Sequence, residues 1–198
     1  MIPEFGHYAL ILALCIATIQ GILPLVGAQQ GRREWILLAR PAAQTVFLLL
    51  AIAFVILAWS FYSNDFSVLY VAEHSNSQMP VIYRLGAVWG GHEGSLLLWI
   101  FLLSTWTFLV AQLSKSLDEF MVARVIGVLG LVITGLLLFV LMTSNPFERL
   151  LPAAQDGRSL NPLTRSGIGL SSTHVVHGLC WLLGSICICN CVFIVWSP

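Results

Sequence analysis

The chain has 198 residues, of which 58% are hydrophobic and only 9% charged, and its nine Lys and Arg balance nine Asp and Glu. Soluble domains carry about 25% charged residues, so so few charges cannot cover a water-exposed surface. The composition excludes a soluble enzyme and predicts an all-α polytopic integral membrane protein. With zero formal net charge there is no basic footprint of the kind that nucleic acid requires, so no nucleic-acid partner is expected.

The first apolar run, 8–26, is about one bilayer long, with Pro24 near its end. Glu4 precedes it without any Lys or Arg, and no small-residue cleavage site follows, so the run is expected to be retained as a span. The link 27–41 carries Arg32, Arg33 and Arg40 against Glu34, and a second span covers 42–62. A polar stretch, 63–94, holds Asp65, Glu73 and Glu93 with Arg84 as its one Arg or Lys. Turn-formers bracket its first part, NDFSVLYVAEHSNSQMP, which predicts an ordered surface loop with a short extended piece. His74 beside Glu73 suggests a proton-exchanging pair, although a solvated loop histidine is the simpler reading. The third span, 95–113, carries Trp99 and Trp106, and the link 114–124 holds Lys115, Asp118, Glu119 and Arg124. In the fourth span, 125–143, Gly127, Gly130 and Gly135 offer close helix packing. A polar segment, 144–167, precedes a candidate fifth span at 178–196.

Cytoplasmic loops of membrane proteins are enriched in Lys and Arg. The contrast between the Arg32/Arg33 link and the 63–94 stretch puts the former inside and the N-terminus and the latter outside. Arg149, Arg158 and Arg165 in the second outer segment oppose this, but early spans usually dominate orientation.

The stretch YRLGAVWGGHEGSLLLW, 83–99, sets polar chemistry at the mouth of the third span. His92-Glu93 begins like a zinc-protease motif, but that motif needs a second His one helical turn on, and position 96 is Leu. Glu93 suits a helix N-terminal dipole and Ser95 suits a cap. Capping leaves His92, Trp89 and Arg84 unexplained, and these three suggest an interfacial site for a planar, anionic ligand. Anchoring and function remain equally open from spacing alone.

Together with LMTSNPFERL and GRSLNPL, these stretches resemble the N-terminal part of CcmF, the haem lyase subunit of bacterial cytochrome c maturation. The resemblance covers 1–163, and WGGHEGS is its most specific motif. It implies a bacterial inner-membrane location, with the 63–94 loop on the periplasmic side. It also implies haem as the group handled, and a haem chaperone, apocytochrome c and other maturation subunits as partners, besides membrane lipid. By the same resemblance, Trp89, Gly90, Gly91, His92, Glu93 and Gly94 form a haem or partner surface, without being assigned as iron ligands. The catalytic residues are not assigned.

After NPL the family continues with a motif containing FHPPMLYMGYVG, whereas here Leu163 is followed by TRSGIGLSSTHVVHGLC. Neither His174 nor His177 takes the place of the family's haem-site His. Omitting one base at the Thr164 codon lets 164–167 be read as Q-D-P-G and 171–178 as H-P-P-M-L-Y-M-G. The tail 164–198 is therefore expected to be a frameshift product, which also explains why four of the five Cys crowd into it. Cys187, Cys189 and Cys191 lie about 200° apart around a helix from one to the next, so no metal site is expected. A chain of this kind is expected to be truncated and unable to ligate haem alone. The alternative is a non-catalytic membrane module that binds other maturation subunits. A transporter half fits poorly, because no ionisable Asp, Glu, Lys, Arg or His lies within the four spans.

Overall fold

The computed structural model describes residues 2–158. Within them the chain is all helical: α1 (Ile2–Gln30), α2 (Arg33–Leu37), α3 (Ala39–Tyr62), α4 (Leu69–His74), α5 (Val81–Ala87), α6 (His92–Leu113) and α7 (Glu119–Thr143), with a single 3-10 turn, Ser114–Ser116, between the last two. Extended pairing among the described residues is limited to an isolated bridge, Val68 to Arg149. Four helical stretches, Ile2–Gln30, Arg33–Tyr62, His92–Ser116 and Glu119–Thr143, are long and apolar enough to cross a membrane. The four predicted spans are therefore all present. The expectations for 164–198, including the fifth span, His174, His177 and the Cys cluster, fall outside the described residues.

The long helices extend past their predicted apolar runs, and at two of the ends the chain itself shows what stops them. α1 passes through Pro24 to Gln30 and stops where Gly31 takes a φ of 67°. The Arg32 N–H then reaches back to the Gly27 carbonyl at 2.9 Å, closing a Schellman turn. α7 begins at Glu119 because the Asp118 carboxylate accepts the Met121 N–H at 3.2 Å, satisfying an otherwise open donor.

The helices form one bundle in which α1 packs on α3 and α7, and α6 also packs on α3 and α7. Leu10, Leu50, Leu97, Ile133 and Leu137 are fully buried between them. Small residues set the α1–α7 distance. A Cβ on Gly130 would lie 2.8 Å from the Gly21 backbone N, and one on Gly127 would lie 2.7 Å from Leu25 Cγ. Gly135, expected to share this role, meets nothing within 4 Å. Five residues beyond Gly130, it is turned about 140° away from the contact face. Across the seam, Gln20 is 1% exposed and donates from Nε2 to the Ile126 carbonyl at 3.2 Å.

The two ends of the bundle differ in charge. One end carries Arg32, Arg33, Arg40, Lys115 and Arg124 against Glu34, Asp118 and Glu119. The Arg33–Glu119 pair joins its two links, and Arg40 donates to the Ser114 carbonyl. The other end gathers Glu4, residues 63–91, the start of α6 and residues 144–158. It holds Arg84, Arg149 and Arg158 against Glu4, Asp65, Glu73, Glu93, Glu148 and Asp156.

The polar stretch departs from its expected form. It contains two short helices, α4 within 64–80 and α5 after it, with extended backbone at Val68 where it bridges Arg149, and it ends at Gly91 because α6 starts at His92 instead of Ser95. The His74–Glu73 pair is not formed. Adjacent helical positions point about 100° apart, and the His74 ring lies on Tyr70 with centroids 4.6 Å apart while Glu73 is exposed.

Candidate functional site

The motif 89–95 sits where α5 turns into α6, and its shape is set from below by Tyr70 of α4. The Tyr70 ring is buried, edge-on to Phe61 at 5.3 Å. Its hydroxyl accepts the Gly91 N–H at 3.0 Å and donates towards the carbonyls of Val88 (3.1 Å) and Ala87 (3.2 Å). Burial pushes the Tyr70 phenol well above its ordinary range, so it stays protonated as a donor. His74 adds a second support. Its Nδ1 lies 3.1 Å from the Tyr70 carbonyl, an acceptor, so Nδ1 carries the proton. Its Nε2 then turns toward Gly91.

Two glycines of the motif, Gly91 and Gly94, are required by this packing. A Cβ on Gly91 would lie 2.6 Å from His74 Nε2, and one on Gly94 would overlap the Val88 carbonyl and sit 2.5 Å from the Tyr70 hydroxyl. With no side chains there, the first turn of α6 closes directly onto the end of α5.

The remaining motif residues divide by exposure. Trp89 is half-buried and packs on the hydrophobic core. His92 is exposed, with its ring edge-to-face with Phe139 of α7 at 6.4 Å. Glu93 is half-buried in the first turn of α6, where the helix dipole favours a carboxylate. Ser95 does not cap: its hydroxyl donates to the His92 carbonyl at 2.9 Å. Gly91 is the N-cap residue, without a side-chain bond.

Arg84 does not join Trp89 and His92. Its Nη1 donates to the Tyr62 carbonyl at the end of α3, 3.1 Å away. Among the described residues no hydrogen bond, ion pair or ring contact links Arg84 to either of them. The sequence-based grouping fails because residues 84, 89 and 92 straddle the break between α5 and α6. The motif thus presents an indole, an imidazole and a carboxylate, without a bonded guanidinium for an anionic ligand. No group of three or more His, Cys, Asp or Glu able to hold a metal occurs among the described residues.

The segment after α7 locks the same end. Arg149 pairs with Glu4 (2.5 Å) and Asp65 (4.0 Å) and donates to the Ser67 hydroxyl. Backbone bonds run from Leu69 N–H to the Glu148 carbonyl and from Leu150 N–H to the Ser67 carbonyl, each 2.9 Å. The Asn145 amide donates to His7 Nδ1 at 3.2 Å, and the Phe147 ring fills the space beside Gly6. Asp156 accepts the Ser77 N–H at 3.0 Å and its hydroxyl at 2.9 Å, which holds its carboxyl below the ordinary carboxylate range. Three stretches far apart in sequence, 64–80, 89–95 and 141–150, therefore meet at one end of the bundle.

A family model described as cytochrome C assembly protein matches residues 89–196, more than half of the chain. The chain belongs to this family. The chain is 57% identical over 178 residues to the cytochrome c-type biogenesis protein CcmF of Pseudomonas aeruginosa, covering 89% of this chain and 26% of that protein. It is 49% identical over 164 residues to the protein of the same name from Escherichia coli, covering 82% and 25%. A solved structure titled cytochrome c haem lyase CcmF superposes with a TM-score of 0.69 at 28% identity, over 75% of this chain and 25% of that one. The chain thus spans about a quarter of the length of the curated relatives it matches.

Within this family member, sequence reasoning missed two residues that shape the site. Tyr70 and Arg149 lie inside the stretches that carry the family likeness, and that was their signal. A buried aromatic with a hydroxyl needs a partner, and an Arg in a polar segment among carboxylates invites pairing. His74 was recognised, as one of a pair with Glu73 or more simply as a solvated loop histidine, and instead packs half-buried on Tyr70.

Proposed function

We propose that this chain acts in cytochrome c biogenesis as a membrane-embedded part of a haem lyase, which delivers haem and joins it to apocytochrome c. Trp89, Gly90, Gly91, His92, Glu93 and Gly94 contribute to the surface that receives haem or the partner carrying it. The carrying observation is the division of labour within the motif. Gly91 and Gly94 are consumed in packing over Tyr70, while His92 is left exposed at the end of the bundle. Haem is cargo here, and the residues present suit part of it: the half-buried Trp89 and the Phe139 ring beside His92 offer apolar faces, and His92 an imidazole.

The reading extends to a haem chaperone, apocytochrome c and other maturation subunits as partners, and to a multi-pass placement in the bacterial inner membrane with the motif on the periplasmic side. Orientation is supported by the charge difference between the two ends of the bundle. Among the described residues, the end opposite the motif carries five Lys and Arg (Arg32, Arg33, Arg40, Lys115 and Arg124), and the motif end three (Arg84, Arg149 and Arg158).

In this reading these 198 residues do not ligate haem by themselves, because the sequence after Leu163 departs from the family's FHPPMLYMGYVG motif. Expressed by itself in a strain lacking the full-length gene, the chain leaves c-type cytochromes absent; their return refutes this. A second reading, an interaction module without haem, is favoured by the lack of a bonded cation at the motif. Purification with bound maturation subunits but without a Soret band supports it, and a Soret band that weakens on His92→Ala supports the first.

A further inference from the structure

Within the 63–91 stretch α5 is mostly apolar, yet much of it faces outward. In α5, Ile82 is 82% exposed, and Val81, Tyr83 and Leu85 are exposed beside it. In water these side chains would be an unfavourable patch next to a polar loop. Their neighbourhood says what covers them. Leu48, Ile52, Val55, Trp59 and Tyr62 are exposed along α3 at helical spacing, forming one continuous apolar stripe up to its last residue. Trp59 and Tyr62 stand against each other at the top of that stripe, with ring centroids 5.6 Å apart. Tyr and Trp collect where hydrocarbon meets headgroups. Arg84, from the middle of α5, donates to the Tyr62 carbonyl, which fixes α5 at that level. α5 contains no acidic residue to be repelled by lipid phosphates, and its one cation is Arg84.

We infer that α5 is a lipid anchor: Val81, Ile82, Tyr83 and Leu85 insert at the acyl–headgroup boundary of the leaflet at this end of the bundle, continuing the lipid-facing stripe of α3. The anchor sets the depth of the motif. Trp89 follows α5 by two residues and Gly91 is bound to Tyr70, so the motif is held at the lipid surface rather than above it. Interfacial helices bind by the apolar area they bury at this boundary. The inference stands whether or not the motif receives haem.

The test places the photo-crosslinker p-benzoylphenylalanine singly at Ile82, at Val55 on the α3 stripe and at Glu73, which is exposed on α4. The full chain is irradiated in native membranes, and adducts are identified by mass. Lipid adducts at position 82 comparable with position 55, and at least fivefold above position 73, are the expected result. Protein adducts at 82 mean that a partner covers α5 and overturn the inference. So does the absence of lipid adducts at 82 when position 55 gives them.

Discussion

Removing the hydroxyl of Tyr70 is the most direct probe of how the motif is held. In Tyr70→Phe the ring still fills its place against Phe61, but the Gly91 N–H loses its acceptor and the Val88 and Ala87 carbonyls lose their shared donor. Two hydrogen bonds at about 1 kcal/mol each give about 2 kcal/mol of local destabilisation. At about 1.4 kcal/mol per factor of ten, the Gly91 amide should exchange with deuterium roughly 30-fold faster. The bundle as a whole should melt almost unchanged, because the helix packing is untouched. Hydrogen exchange with peptide-level mass spectrometry, on chain reconstituted in lipid nanodiscs, reads both effects. Gly91 exchange within about threefold of the parent chain would refute the role given to the hydroxyl. The phenol also sets a pH limit. Its folded value is raised above the unfolded 10.0, so its contribution is complete below pH 10. It is then lost as pH rises from there through the folded value.

Two further perturbations test the packing and the outer lock. Gly130→Leu forces a side chain into the Gly21 backbone and should cost about 1–3 kcal/mol, whereas Gly135→Ala meets open space and should gain up to about 1 kcal/mol. Thermal unfolding in detergent separates them, and equal shifts would contradict the assigned seam. The Asp156 carboxyl is held below its ordinary value by Ser77, so this clasp is complete above about pH 3.8. It is lost as pH falls through the folded value. The protection factor of the Ser77 amide should fall over that acid range and become pH-independent in Asp156→Asn; persistence of the pH dependence in the variant contradicts the assignment.

The membrane class, the number of spans in 2–158 and the polar motif at the head of the third were legible in the sequence. Composition and run length suffice for these because a span must satisfy its own backbone in hydrocarbon whatever surrounds it. The same local logic misjudged the helix ends, since Asp118 and Gly31 close turns lying beyond the apolar runs. It grouped Arg84 with His92 because they are near in sequence, while a helix break sends the guanidinium to Tyr62. It offered Gly135 as equal to Gly130, and only the position of α1 distinguishes them. The partners of the Tyr70 hydroxyl and of Arg149 were decided by tertiary structure alone, whereas His74 meets Tyr70 one turn away on α4: Glu4 and Arg149 lie 145 residues apart and meet because α1 and α7 pack side by side. Spacing along one helix or loop is short-range information. Which faces meet across the bundle depends on how small residues let whole helices approach, and that is settled by the packing of all of them together.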